Sequence, residues 1–77
     1  MENIFATAYP HLARWVEAFG WLELGQDDFS SSVIRILDTG GLIWESEDHY
    51  DSLDAALREA EAALVAWSKQ EGIELDA

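Results

Sequence analysis

The chain has 77 residues, 49% of them apolar, and carries sixteen acidic side chains against four basic ones, for a net charge of −12. This charge excludes nucleic acids and anionic membrane surfaces as partners, because both attract proteins through Lys and Arg. The length predicts a single domain over residues 1–77. The absence of cysteine excludes disulfides and thiolate metal sites as supports for its small core.

The first ten residues, MENIFATAYP, contain neither a basic n-region nor a long apolar run, so no signal peptide is expected. No stretch approaches the roughly 20 apolar residues that a membrane-spanning helix needs. We therefore expect a cytoplasmic protein.

The first predicted helix begins at Pro10, since proline suits the first helical position. One apolar stripe with helical spacing follows, formed by Leu12, Trp15, Val16 and Phe19. Gly20 is expected to end this helix. An additional turn is predicted upstream, around Ile4, Phe5 and Tyr9.

Three short strands are predicted next, over residues 21–24, 32–37 and 42–45. The polar segment 25–28 separates the first two strands. Residues 38–41, which include Gly40 and Gly41, form a hairpin turn between the second and the third.

An acidic connector, residues 45–54, leads into the last predicted helix, which is about 19 residues or roughly 28 Å long. Ser52 is the expected N-cap, and Asp54 and Arg58 can pair across one turn. Gly72 is the expected C-terminal glycine, with Ile73 making the hydrophobic contact that follows it. The apolar stripe of this helix consists of Leu53, Leu57, Ala60, Leu64 and Trp67.

The element order is therefore α-β-β-β-α. It predicts an α+β domain in which a three-stranded antiparallel meander has its helices packed on one face. If the turn places Leu37 opposite Leu42, the side chains of the strands separate into two faces. The isoleucine face, where we expect both helices, is formed by Leu22, Leu24, Ile34, Ile36 and Ile43.

The opposite face, called the far face below, is predicted to be apolar, although the outer face of such a sheet is usually polar. Large exposed apolar patches often mark interfaces. We therefore expect a homodimer or another protein partner there, unless the N-terminal segment or a helix covers this face. A cation–π contact is expected between Arg35 and Trp44. The predicted interface residues are Trp21, Val33, Arg35, Leu37, Leu42 and Trp44.

The acidic connector is also the densest cluster of potential metal ligands, with His49 among its carboxylates. Its spacing matches no metal motif, so a solvated acidic loop is the preferred interpretation. His11 has no partner close in sequence that would make it a general base, and a surface histidine is expected. No catalytic residue, metal or cofactor is predicted.

The stretch Tyr50-Asp51-Ser52-Leu53-Asp54-Ala55-Ala56-Leu57, continued by Glu61-Ala62-Ala63-Leu64, resembles the segment after the hairpin of HicB-type antitoxins. That resemblance implies an antitoxin-like role. The element order also resembles the double-stranded-RNA-binding fold, but Asp51 and Asp54 stand where that family has basic residues, so it implies no RNA binding. The runs 15–25 and 37–45 resemble small acidic bacterial proteins of unknown function.

The preferred hypothesis is a small acidic interaction protein without catalytic activity, which self-associates through the far face. The alternative is an acidic inhibitor or regulator, either antitoxin-like or a mimic of nucleic-acid charge, that binds a basic protein partner. A metal-dependent role of the 45–54 segment is a third hypothesis.

Overall fold

A computed structural model describes residues 4–25, 32–73 and 75. The predicted α+β class is confirmed, with an antiparallel sheet of strand order β1-β2-β3. The elements of the described residues are α1 Ile4–Ala8, α2 Pro10–Ala18, β1 Trp21–Leu24, β2 Ile34–Asp38, β3 Gly41–Glu45 and α3 Leu53–Glu71. The predicted loop residues 26–28 lie outside the described part.

Helix α2 begins at Pro10 as predicted, but only part of its apolar stripe is buried. Leu12 and Trp15 are fully enclosed, whereas Val16 remains 48% exposed. The apolar stripe expected from the helical spacing is therefore only partly in the core, because Val16 and Phe19 lie outside the core cluster.

Gly20 follows α2 for a steric reason and not as a left-handed cap. A side chain at this position would place its Cβ 2.1 Å from the carbonyl oxygen of Leu37 and 2.8 Å from Nε1 of Trp15. These two atoms are joined by a hydrogen bond of 3.0 Å, donated by the indole. Glycine thus allows the chain to pass over the bond that ties α2 to the sheet.

Helix α3 has the predicted caps at both ends. The Ser52 hydroxyl accepts a hydrogen bond from the Ala55 N–H at 3.1 Å. At the other end Gly72 adopts the left-handed conformation with φ of 72°, and the Ile73 N–H donates to the Ser68 carbonyl. This is a Schellman arrangement, and Ile73 packs against the core as expected.

The hairpin between β2 and β3 contains an irregularity that the sequence did not predict. Leu37 lies opposite Leu42 as expected, but the next pair is Ile36 with Trp44, and Ile43 has no direct partner. An extra residue in one strand reverses the alternation of faces beyond it. Trp44 therefore lies on the isoleucine face and packs against the core.

The core lies between the isoleucine face and the two longer helices. Its largest fully buried side chains are Trp15, Leu12, Ile34, Ile36 and Leu64. Helix α3 lies close to the sheet because the side chains of Ala56 and Ala60, both fully buried, are small. Trp67 meets the Trp15 ring edge to face at 5.5 Å. The expectation that the helices pack on this face is thus confirmed.

Candidate interaction surface

The six predicted interface residues do not form one surface. The bulge places Trp44 on the isoleucine face. The prediction that Trp44 lies on the far face, in a cation–π contact with Arg35, is therefore wrong. Val33 precedes β2 and packs partly against the core. On the far face, Trp21 and Leu42 are exposed and Leu37 is half-buried.

Arg35 is a structural residue of the far face and is only 9% exposed. Its guanidinium donates to the carbonyl oxygens of Ser32 and Gly25, at 2.8 and 2.9 Å, and to the Glu23 carboxylate at 3.2 Å. These bonds tie together the two ends of the connection between β1 and β2. Arg35 is therefore positioned by internal partners, which leaves little of it for a partner protein.

A second apolar surface lies beside β1, where α1 and α2 border the edge of the sheet. A groove of about 390 Å³ is lined by Phe5, Ala13, Val16, Glu17, Trp21, Leu22 and Leu24. Three of these side chains are large, apolar and exposed, namely Val16, Trp21 and Leu24. The groove was not expected from the sequence, because the helical stripe groups Val16 with core residues and strand alternation places Leu24 on the isoleucine face. Period and alternation predict which face a residue occupies, but not how far the facing element extends.

Hydrogen bonds of its serine and tyrosine organise the acidic connector. The buried Ser46 hydroxyl accepts hydrogen bonds from the N–H groups of Val33 and Ile34, both at 2.9 Å. The Tyr50 hydroxyl accepts one from the Glu47 N–H at 3.1 Å. Among the described residues, no three His, Asp or Glu side chains come close enough together to hold a metal ion.

His11 has a carboxylate partner that the sequence analysis missed, since it lies fifty positions away. Glu61 of α3 accepts hydrogen bonds from the backbone N–H groups of His11 and Leu12, at 3.1 and 2.8 Å, and contacts the His11 ring at 2.5 Å. Tyr9, the residue before α2, supplies no side-chain cap. Glu61 therefore caps α2 from a different helix, which is a structural role.

Asp54 joins the start of α3 to the segment before α2. Its carboxylate accepts hydrogen bonds from the Tyr9 hydroxyl and, at 2.8 Å, from Arg58. These bonds hold the pKa of Asp54 below its ordinary value, with Tyr9 as the larger cause. The same bond to Asp54 raises the pKa of Tyr9. The predicted pair of Asp54 with Arg58 is confirmed.

Compared with models of known protein families, with curated proteins and with solved structures, the chain gives no significant match. The resemblances to HicB-type antitoxins and to small acidic bacterial proteins therefore stay predictions. None of the helices within the described residues is long and apolar enough to cross a membrane.

Proposed function

We propose that this protein is a small, non-catalytic interaction module that binds a basic protein partner through the apolar groove beside β1. The observation that carries the proposal is the exposure of Val16, Trp21 and Leu24 around one concave surface. Contiguous apolar patches on small proteins commonly mark docking sites. The rest of the surface is strongly acidic, which favours cationic partners and discourages acidic ones.

The polar groups of the described residues support a binding role over a catalytic one. The His11 ring is held by Glu61, and the Ser46 and Ser52 hydroxyls bind backbone N–H groups. Each of these contacts stabilises the fold and aims no group into the apolar groove. The Glu17 carboxylate is the acidic group in the lining of the groove. An acidic inhibitor or regulator, antitoxin-like or a mimic of nucleic-acid charge, is the class of protein that this arrangement fits.

Affinity capture from the native cell lysate tests the proposal when wild type is compared with two variants. Val16→Asp places a charge in the apolar groove, whereas Leu53→Asp changes an equally exposed apolar residue at the start of α3. We expect wild type and Leu53→Asp to retain the same basic protein, and Val16→Asp to recover about tenfold less of it. The proposal fails if no captured protein depends on Val16.

Self-association through the far face is the second candidate, and one feature favours it. Trp21, Leu37 and Leu42 lie opposite one another and form an apolar row across all three strands. The described helices pack mainly on the other face of the sheet, and Trp21 and Leu42 of this row are 41% and 51% exposed. A homodimer through the row should dissociate in Leu42→Asn, and a wild-type chain that sediments as a monomer at high micromolar concentration would reject it.

A further inference from the structure

Within the part of the chain that the structure describes, strand β1 is an edge of the sheet, and its outward backbone groups can be identified. In an antiparallel pair, residues that bond to the neighbouring strand alternate with residues that point away from it. The Gly25 N–H donates to the Val33 carbonyl at 2.7 Å, which sets the phase of this alternation. Glu23 and Trp21 therefore bond to β2, while the N–H and C=O groups of Leu22 and Leu24 point outward.

These outward groups stand next to the apolar groove. Leu22 and Leu24 belong to its lining, together with Val16 and Phe5 on the helices. No described residue outside the strand is hydrogen-bonded to the outward backbone groups of Leu22 and Leu24. An added strand would complete these hydrogen bonds and direct every second side chain into the groove.

On the far face, β1 presents an aromatic and an acidic side chain instead of leucines. Trp21 lies on the far face by its register but also borders the groove. It is 41% exposed, and its indole N–H donates to the carboxylate of Glu23 at 3.3 Å. The Glu23 side chain is 49% exposed despite its ion pair with Arg35. A cationic side chain between the two would lie against the Trp21 ring and beside the Glu23 carboxylate. The edge therefore selects apolar side chains on one face and basic ones on the other.

We propose that the occupant of the groove is an extended segment of a basic protein partner, with alternating apolar and Lys or Arg residues, which adds to β1 as an antiparallel fourth strand. The antiparallel direction continues the existing meander and is the more stable pairing. This inference rests on the proposed function and specifies how the partner is recognised.

A second copy of the chain fits this edge less well. The two-fold pairing that uses the outward groups of both Leu22 and Leu24 is centred on Glu23. It sets two Glu23 carboxylates directly opposite each other, where like charges repel. It also joins two molecules that each carry a net charge of −12. A basic segment avoids both of these repulsions, so charge complementarity favours it over a second copy of the chain as the occupant of this edge.

The test uses a synthetic peptide of about eight residues that alternates Val and Lys, with both termini blocked. Binding is measured by calorimetry, and hydrogen exchange of the Leu22 and Leu24 amides by NMR. We expect binding that weakens as salt rises, together with slowed exchange of both amides. A peptide that alternates Val and Glu, of the same length, should not bind.

Backbone N-methylation of the peptide distinguishes strand addition from a general charge attraction. In antiparallel pairing the Val residues share the groove side with Leu22 and Leu24, so their N–H groups bond to β1 while those of Lys point to solvent. N-methylation of the Val residues should therefore reduce affinity by about tenfold or more, and N-methylation of the Lys residues should leave it nearly unchanged. Equal losses from both peptides would overturn the proposal.

Two leucines of similar exposure provide matched variants, since Leu24 is 54% and Leu42 51% exposed. Leu24→Asn should weaken binding by about tenfold, while Leu42→Asn on the opposite edge strand should change it less than about twofold. Thermal melts establish that both variants fold. Absence of peptide binding, or equal effects of the two variants, would overturn strand addition. The proposed function would still stand if capture from lysate depends on Val16.

Discussion

Arg35 and Ser46 show how polar side chains organise the irregular parts of this small domain. Arg35 joins Gly25 to Ser32, and the Ser46 hydroxyl joins the connector to the start of β2. Both side chains are buried, and their polar groups are satisfied by hydrogen bonds to the backbone of these connections. From the sequence, Arg35 is expected at an interface, because side-chain alternation shows which face of the sheet it occupies but not which groups it binds.

The lowered pKa of Asp54 predicts how the stability of the fold depends on pH at the acidic end. Because its pKa is lower in the folded chain than in the unfolded chain, its bonds stabilise the fold fully above the ordinary carboxyl pKa of 3.8. This contribution disappears as the pH falls below that value toward the lowered pKa of the folded state. We therefore expect Asp54→Asn to reduce the melting temperature at pH 7 and to have a smaller effect near pH 3.

Differential scanning calorimetry of wild type and variant at both pH values measures this difference. Glu59→Gln is the matched control, since it removes an exposed carboxylate from the middle of the same helix. If Asp54→Asn lowers the melting temperature equally at neutral and acidic pH, its effect does not come from the ionised carboxylate.

Among the helices and strands, α3 was the element that the sequence predicted most completely. Its bounds, its Ser52 and Gly72 caps and its 19-residue length agree with the sequence analysis. These features are local, because each depends on residues within one or two turns of the helix end. The start of α2 is different, since its cap comes from Glu61 in another helix, and a pattern within ten or twenty residues cannot reveal it.

The capping role of Glu61 makes a specific prediction about α2. Glu61→Ala should reduce the free energy of unfolding by about 1–2 kcal/mol, because two N–H groups at the helix start lose their acceptor. Glu59→Ala, a change at an exposed position of the same helix, should stay within about 0.5 kcal/mol of wild type. Urea denaturation measures both values. Similar losses in the two variants would contradict a cap and point to an effect on α3 itself.

The strands were predicted in the correct order, and β1 and β3 nearly in their observed bounds. The face occupied by Trp44 was predicted wrongly, because one extra residue in β3 moves the side chains that follow it to the opposite face of the sheet. A bulge carries a weak sequence signal, since Ile43 and Trp44 are both apolar and suit either face. The far face is therefore less apolar than predicted, since Trp44 does not belong to it.

On the scale of the whole molecule, we expect the net charge of −12 to affect the stability of the fold. Like charges confined to a compact domain of this size repel one another, and dissolved ions screen that repulsion. We expect the melting temperature to rise between about 20 and 200 mM NaCl.

A variant with fewer exposed acids provides the control for this salt effect. Glu47→Gln combined with Asp51→Asn removes two exposed carboxylates from the acidic connector. The double variant should show a smaller rise with salt than wild type. A wild-type melting temperature that stays constant or falls across this range would show that self-repulsion does not limit the stability of the fold.

The sequence by itself determined the α+β class, the order of the elements and the caps of α3. These follow from composition and from periodicity within short segments, which local backbone geometry and hydrophobic burial convert directly into helices and strands. Only the tertiary structure decided which apolar residues stay exposed, where Trp44 points, and which distant carboxylate caps α2. These depend on contacts between residues far apart in the chain, where one extra residue in a strand or the limited length of a helix changes the outcome.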